Sequence, residues 1–299
     1  MKISVITATW NCVETVSDCL ASVAGQSFAE CEHILIDGGS TDGTLAVLEA
    51  QRAALAVLVS EPDGGIYDAL NKGIAWASGD EVGLLHADDF YADREVLARI
   101  AGAFADPAVE AVYGDLVYVA KADTVRVIRY WRAGAYRPGR LRLGWMPPHP
   151  TLYLRRALYA RHGVFDTRYR IAADYDLMLR VLSRLTGRVV YLPQVLVRMR
   201  VGWTSNRSLR RILRKSWEDY RALRANGMGG VAALVWKNLS AVPQFWQGAR
   251  EGGAVGRSGL SVWRVGGAMV FGGSGGVGVF GGGGRWPGAC LLGGRDNRT

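Results

Sequence analysis

The amino-acid sequence predicts an α/β fold in which helices cover both faces of a mostly parallel β-sheet. Between residues 3 and 85, short apolar runs alternate with segments whose apolar residues recur at helical spacing. The connections between these segments are only a few residues long, which is typical of parallel strands joined by crossover helices. The chain has 299 residues, 49% of them hydrophobic, and so can form a sizeable core.

The alternation gives the elements in order. Strands are predicted at 3–8, 33–36, 56–59 and 81–85, and helices at 14–24, 42–52 and 66–76. After a further helix at 97–104, the period-two pattern at 111–129 predicts antiparallel strands that extend the sheet. Residues 207–224 predict an amphipathic helix with arginines on one face and an apolar opposite face of Leu209, Ile212, Leu213, Tyr220 and Leu223.

Composition divides the chain into three parts. Residues 1–205 carry the α/β pattern, 206–250 form a basic amphipathic segment, and 251–299 are rich in glycine without sustained periodicity. We predict that this last part is a disordered tail with no catalytic role.

Charge favours anionic partners, because Lys and Arg outnumber Asp and Glu by 36 to 27 for a formal net charge of +9. Nine basic and two acidic residues lie within 198–224. This segment lacks the interleaved aromatic residues of a nucleic-acid binder, so we expect no nucleic acid partner and prefer a solvated helix face that also rests on the inner membrane surface.

Cysteine spacing and apolar run lengths bear on the compartment. The four cysteines show no spacing typical of zinc sites or disulfide frameworks, which favours a reducing cytoplasm. The first apolar run is too short for a signal-peptide core, and no apolar stretch is long enough to span a bilayer. We therefore expect a cytoplasmic protein, peripheral at the inner face of the membrane.

Acidic residues stand at the predicted carboxyl ends of strands, where ligands bind in open α/β sheets. His86, Ala87, Asp88 and Asp89 follow the apolar residues 82–85, and two carboxylates there suit Mg²⁺ or Mn²⁺ with a diphosphate. The alternative is that Asp88 or Asp89 only caps the helix near Asp93.

Two further segments offer polar side chains to a nucleotide. Asp37 ends the second strand before a glycine-rich turn, where it could accept hydrogen bonds from a base or ribose, whereas Asp42 is interpreted as a helix cap. Asp63, Asp68 and Asn71 lie in a turn that runs into a helix, and a cleft-lining role and a structural role are equally open for them.

Asp174 and Asp176 lie at the start of an apolar helix. Two residues apart, they point in different directions, so one can face the cleft while the other caps the helix or pairs with Arg180 at i+4. Taken alone, this is also an ordinary acid-rich helix start.

Together, these segments resemble the family 2 glycosyltransferases of the GT-A fold, a Rossmann-like fold that binds nucleotide-diphosphate sugars. The resemblance covers residues 1 to about 245 and rests on the order of residues 6–11, 36–44, 60–73, 86–89 and 172–180, with 237–240 and 243–245 as weaker additions. One motif alone is weak, but five in order are specific.

The resemblance implies roles for individual residues. Thr7, Thr9 and Asp37 would hold the base and ribose, Asp88 would bind the metal with Asp89 as its neighbour, and Asp174 would be the general base of an inverting transfer. The chain departs from the family by having His86 where Asp or Asn usually stands, and Ala173 in place of a Glu.

The function implied is sugar transfer from a nucleotide-sugar, with UDP-sugars as the first choice, to a glycan or lipid-linked acceptor in cell-surface polysaccharide or glycolipid synthesis. Mn²⁺ or Mg²⁺ is the implied cofactor. His149 lies between the acidic motifs along the sequence. Its side chain either lines the acceptor side of the site or is only held in a proline-rich loop. The departures at His86 and Ala173 leave open an inactive nucleotide-sugar binder, and the basic segment leaves open a nucleic-acid or membrane-surface binding protein.

Overall fold

A computed structural model describes residues 1–201, 209–231, 233 and 234, and the strands at 261–265, 268–273 and 276–280. Its first part is the predicted alternation of strands and helices: β1 (Ile3–Thr9), α1 (Val16–Ala24), β2 (Cys31–Asp37), α2 (Thr44–Ala50), β3 (Val57–Ser60), α3 (Ile66–Trp76) and β4 (Glu81–Leu84). The four strands are parallel and lie in the order β3-β2-β1-β4. Their carboxyl ends therefore share one edge of the sheet.

The sheet continues with strands from the second part of the chain: β5 (Phe90–Tyr91), α4 (Val96–Phe104), β6 (Val109–Ala120), β7 (Val127–Trp131), α5 (Pro138–Leu141), β8 (Tyr153–Arg155), α6 (Arg156–His162), α7 (Ala173–Leu182) and β9 (Arg188–Val201). The order past β4 is β8-β6-β9-β5, with β7 also paired to β6. β6 and β7 form the antiparallel pair that was predicted over 111–129. β8 is antiparallel to both β4 and β6, which makes the sheet mixed.

Apolar side chains of β1 enter the core on both faces of the sheet. Ile6 packs on one face with Leu70 and Ile74 of α3. Ile3 and Val5 point to the other face, towards α1 and α4. Strand side chains alternate between faces, so a run apolar at successive positions fits only a strand covered on both sides. The α/β fold class predicted from the sequence is confirmed.

The last described helix of this unit, α8 (Leu209–Ala225), packs against α7. Its buried side chains are Glu218, Asp219, Ala222 and Leu223. The prediction that Leu213 belongs to the packed apolar face is wrong, since this side chain is 67% exposed. The inner face instead carries two acids: Glu218 accepts N–H groups of the turn before α7, and Asp219 pairs with Lys215 of α8.

Residues Met1–Gly252 form one compact unit and Gly253–Thr299 a second. The second unit contains an antiparallel sheet of β10 (Ser261–Val265), β11 (Ala268–Gly273) and β12 (Gly276–Phe280), within the segment predicted to be a disordered tail. The remainder of that tail, and the motifs at 237–240 and 243–245, lie outside the described residues. No helix in the described ranges is both long and apolar enough to cross a membrane.

Candidate active site

The carboxyl ends of β1 and β2 are joined through Asp37. Its fully buried carboxylate accepts hydrogen bonds from the hydroxyls of Thr9, Ser40 and Ser60 and from the backbone N–H groups of Gly39 and Ser40. Burial acts to raise the pKa of Asp37, but the donors outweigh it and the pKa lies below its usual value. Both oxygens already accept hydrogen bonds within the protein, and these bonds hold the turn after β2. Contact of Thr9 and Asp37 with a base or ribose stays a prediction.

Thr7 is engaged within the fold. Its side chain is fully buried, and its hydroxyl lies 2.9 Å from Nε2 of His33, which is also buried. The side chain of Thr7 points into the sheet face under α1, where Cys19 lies beside it. These contacts give Thr7 a framework role, and its part in nucleotide binding stays a prediction.

Asp63 lies at the same edge of the sheet. A Cβ atom built on Gly38 would come within 2.6 Å of Oδ2 of Asp63, so this carboxylate covers the glycine that follows β2. The other oxygen, Oδ1, accepts the backbone N–H of Gly65 at 2.7 Å. Gly65 has φ +114°, a conformation that favours glycine. Asp63 is only half-buried and so keeps surface for a ligand.

Both ends of the Asn71 side-chain amide pair with the backbone of Phe165. Its amide nitrogen donates to the carbonyl of Phe165 at 2.9 Å, and its amide oxygen accepts the N–H of Phe165 at 2.9 Å. This double pairing ties α3 to the loop after α6. The structural alternative for Asn71 is thus the one the contacts support, and Asp68, which accepts the N–H of Gly64 at 3.0 Å, is also engaged locally.

The turn after β4 separates the two predicted metal ligands. The N–H of Asp89 bonds to the carbonyl of His86 at 3.0 Å, and the turn leaves Asp88 exposed while Asp89 is fully buried. Burial, and then the charge of Asp88, raise the pKa of Asp89 well above its usual value. Its Oδ1 accepts the N–H of Arg200 in β9. Asp89 has no exposed surface, but its Oδ2 has no hydrogen-bond partner among the described residues, and its role as a metal ligand stays a prediction.

Asp174 lies in the first turn of α7. It is half-buried, and its Oδ1 accepts the hydroxyl of Tyr67 at 3.2 Å; the same hydroxyl donates to the carbonyl of Ile171 at 2.7 Å. Asp176, two residues on, is buried and pairs with Arg180 at 3.1 Å. The predicted i+4 pairing is confirmed for Asp176, and the prediction that the other acid faces a cleft stays a prediction for Asp174.

Two histidines stand next to Asp174. The rings of His86 and His149 have centroids 5.7 Å apart, and Phe165 packs edge-on against His149 at 6.0 Å. Burial lowers the pKa of His149 to about 4, partly opposed by the charge of Asp174. Nε2 of His149 is buried and has no hydrogen-bond partner among the described residues. The structure thus brings His149 to the same side as Asp174, as an uncharged ring.

Two residues that contact Asp174 or the turn before it were not predicted from the sequence. They are Tyr67 and Glu218 of α8. One oxygen of the buried Glu218 carboxylate accepts the N–H groups of Ile171 at 2.8 Å and of Ala172 at 3.1 Å. Glu218 thereby holds the turn that leads into α7 and Asp174. Tyr67 follows a glycine turn with an acid beside it, which is a weak hint; Glu218 is too far along the chain for any spacing to reveal it.

A divalent cation fits this edge of the sheet only in part. Among the described residues, no three His, Cys, Asp or Glu side chains are grouped to hold a metal ion. Asp88 is the single exposed carboxylate of the 86–89 turn. Mg²⁺ commonly keeps water and substrate phosphate in its shell and takes one or two carboxylates from the protein, so one carboxylate beside a bound diphosphate fits this habit.

Comparison with known proteins identifies the family. Residues 4–167 match the model of glycosyl transferase family 2. A "PGL/p-HBAD biosynthesis glycosyltransferase" of Mycobacterium bovis (strain BCG / Pasteur 1173P2) is 32% identical over 184 residues, covering 60% of this chain and 69% of that protein. The O-antigen biosynthesis protein RfbC of Myxococcus xanthus is 30% identical over 220 residues, covering 69% of this chain and only 16% of its own length.

Solved structures share the fold at lower identity. Residues 1–349 of S. aureus TarS, in complex with UDP-GlcNAc, align with a TM-score of 0.59 at 20% identity, over 76% of this chain and 65% of that one. The mannosyltransferase PcManGT from Pyrobaculum calidifontis, in complex with GDP-Man and Mn²⁺, aligns with a TM-score of 0.59 at 22% identity, over 86% and 76%. With the family match and the mixed sheet already described, the chain belongs to glycosyl transferase family 2 and is a glycosyltransferase of the GT-A fold.

Proposed function

We propose that this protein transfers a sugar from a nucleotide-diphosphate sugar to an acceptor hydroxyl with inversion at the anomeric carbon. The observation that carries the proposal is Asp174, a half-buried carboxylate that accepts the Tyr67 hydroxyl and lies, like the exposed Asp88, close enough to His86 for its charge to act on that ring. Biosynthesis of a cell-surface polysaccharide or glycolipid is the setting we propose, since the relatives in M. bovis and M. xanthus are biosynthesis proteins by name.

In the proposed reaction, Asp174 takes the proton of the acceptor hydroxyl as that oxygen bonds to the anomeric carbon. The bond between the anomeric carbon and the diphosphate oxygen breaks, and its electron pair leaves with the nucleotide diphosphate. A positioned base of this kind contributes roughly 10²- to 10⁴-fold to the rate. The uncharged His149 ring, beside Asp174, lines the acceptor side and leaves that carboxylate the acceptor of the proton.

The donor is proposed to lie across the carboxyl ends of β1, β2 and β4. Asp63, over Gly38, is placed to contact the base or ribose, in place of the saturated Asp37. Asp88 would hold a divalent cation, Mn²⁺ or Mg²⁺, which when bound offsets the charge that develops on the departing diphosphate. UDP-sugars are our first choice of donor; S. aureus TarS has been solved in complex with UDP-GlcNAc, and PcManGT in complex with GDP-Man and Mn²⁺.

The test is donor turnover across UDP-, GDP- and dTDP-sugars, with and without Mn²⁺. Asp174→Asn should lower transfer about 10²-fold or more while donor binding, measured by calorimetry, stays within a fewfold. Asp176→Asn is the matched control on the same helix: it breaks a structural pair with Arg180 and should reduce stability more than turnover. Equal turnover by the parent and Asp174→Asn would contradict the base assignment.

Metal use is tested separately at Asp88. Asp88→Asn should weaken Mn²⁺ activation and Mn²⁺-dependent donor binding, while metal-free nucleotide binding changes little. Tight donor binding by the parent without turnover on any donor would instead favour the alternative of an inactive nucleotide-sugar binder.

A further inference from the structure

The outer face of α8 is an exposed surface that sugar transfer does not explain. It consists of Leu213, Arg214, Trp217, Arg221 and Arg224, all exposed, and Trp217 is 60% exposed. Positions 213, 217, 221 and 224 are spaced by four, four and three residues, so they share one side of the helix. A large indole and a leucine in water are unfavourable unless a partner covers them at some stage.

Charge is sorted between the two sides of α8. The helix contains two acids, Glu218 and Asp219, and both are buried on the inner face. Glu218 accepts backbone N–H groups near α7, and Asp219 pairs with Lys215 at 2.8 Å. The described charged side chains of the outer face are arginines alone, so this face is positively charged with no acid to compensate it.

Apolar side chains and arginines are interleaved on this face in the way an interfacial helix requires. Such a helix buries Leu and Trp at the boundary between headgroups and acyl chains while its cations meet anionic headgroups. The Trp217 ring also stacks on Tyr220, with centroids 5.8 Å apart, which gives a broad amphipathic aromatic surface of the kind enriched at membrane boundaries.

We propose that the outer face of α8 docks this protein on an anionic lipid surface. The argument is charge complementarity combined with the exposed Leu213 and Trp217, and it does not depend on which donor the enzyme uses. Nucleic acid fits less well, because the two aromatic rings stack on each other and are not spread out to receive successive bases.

Docking there would also place the active site near the membrane surface. The inner face of the same helix holds the turn before Asp174 through Glu218. α8 therefore lies between the lipid surface and the catalytic helix, in a position suited to an acceptor presented from that surface.

The experiment is vesicle flotation of the full-length protein without donor. Vesicles of phosphatidylcholine with phosphatidylglycerol are compared with vesicles of phosphatidylcholine alone, each at low and high salt. We expect flotation with the anionic vesicles only, weakened by high salt. Arg214→Gln with Arg224→Gln should weaken partitioning about 25-fold, at about fivefold for each arginine. Trp217→Ala should weaken it at both salt concentrations, because the apolar contribution is not screened.

Matched controls lie outside α8. Trp76 in α3 is 57% exposed, and Trp76→Ala should leave flotation unchanged. Arg161→Gln with Arg188→Gln removes the same net charge elsewhere and should also have little effect. Thermal melts verify that every variant is folded.

The proposal is overturned if the parent fails to float with anionic vesicles, or if the α8 variants bind as the controls do. It is also overturned if a single-stranded RNA binds more tightly than the anionic vesicles and competes for them. Because no donor is present, these outcomes are independent of whether the sugar-transfer proposal holds.

Discussion

Replacing Glu218 should separate the positioning of Asp174 from the stability of the fold. Glu218 is 5% exposed, and one of its oxygens accepts two backbone N–H groups at 2.8 and 3.1 Å. A hydrogen bond to a charged group contributes about 1.5–3 kcal/mol. Glu218→Ala removes two of them and leaves buried donors unpaired, so we expect a loss of about 3–5 kcal/mol in the free energy of unfolding.

The catalytic effect follows from the location of those donors. Ile171 and Ala172 are the residues before α7, and the Ile171 carbonyl also lies within hydrogen-bond distance of the Tyr67 hydroxyl that contacts Asp174. Misplacement of a reacting group by about 1 Å can cost about 10²-fold in rate, so Glu218→Ala should lower kcat by that order with a smaller change in the donor KM. Glu218→Gln keeps a carbonyl acceptor without the charge and should lose about half as much stability.

Glu110 provides a matched control. Its carboxylate also accepts two successive backbone N–H groups, of Thr186 at 3.0 Å and of Gly187 at 2.7 Å, at the amino end of β6. Urea unfolding and steady-state kinetics are measured at a temperature where all variants are folded. Glu110→Ala should reduce stability with kcat unchanged. If Glu218→Ala behaves the same way, with normal kcat, then Glu218 is structural only and the reasoning is refuted.

Three further predictions concern the fold and the site. Burial lowers the pKa of His33 to about 3 and that of His149 to about 4, whereas a histidine of the unfolded chain has a pKa near 6.5. The unfolded chain therefore binds protons first as the pH falls. The stabilisation that these two neutral histidines give the fold is present above pH 6.5 and is lost as the pH falls towards 4. Each histidine should cost about 2.2 kcal/mol between pH 6.5, where the unfolded histidine is already half protonated, and pH 4.5. His33→Phe should remove about half of their joint contribution in urea melts at the two pH values, and an unchanged slope would count against burial as the cause. Gly83→Ala should destabilise the fold by about 1–3 kcal/mol or more in thermal melts, because its Cβ would lie 2.1 Å from Cε1 of Tyr153. The control is Gly102→Ala in α4, which has open space at its Cβ and should be neutral or stabilising. Asn71→Ala should lower stability through loss of the Phe165 pairing and leave the nucleotide Kd within a fewfold; a large rise in Kd would restore its assignment to the nucleotide site.

Much of the fold was predictable because it depends on local periodicity. The observed bounds of α3 agree with the predicted helix, and β1 to β4 lie within one or two residues of the predicted strands. The pairing of Asp176 with Arg180 was also predictable, since i+4 neighbours meet on any helix. The strands in the glycine-rich tail were not predicted, because glycine supplies no side-chain pattern from which to read them.

The sequence by itself determined the α/β order, the edge of the sheet where ligands bind, and the short list of carboxylates, because each follows from residue spacing along a strand or helix. Only the tertiary structure decided the burial and the hydrogen-bond partners of those carboxylates. It buried Asp89 and left Asp88 exposed, saturated Asp37 with donors from three segments, and laid Asp63 over Gly38. It also brought Tyr67 to Asp174, 107 residues away in the chain. Glu218 likewise reaches the turn before Asp174, 47 residues from Ile171 and 46 from Ala172. The solvation and hydrogen-bond partners of a carboxylate are set by neighbours distant in sequence, and no local pattern encodes them.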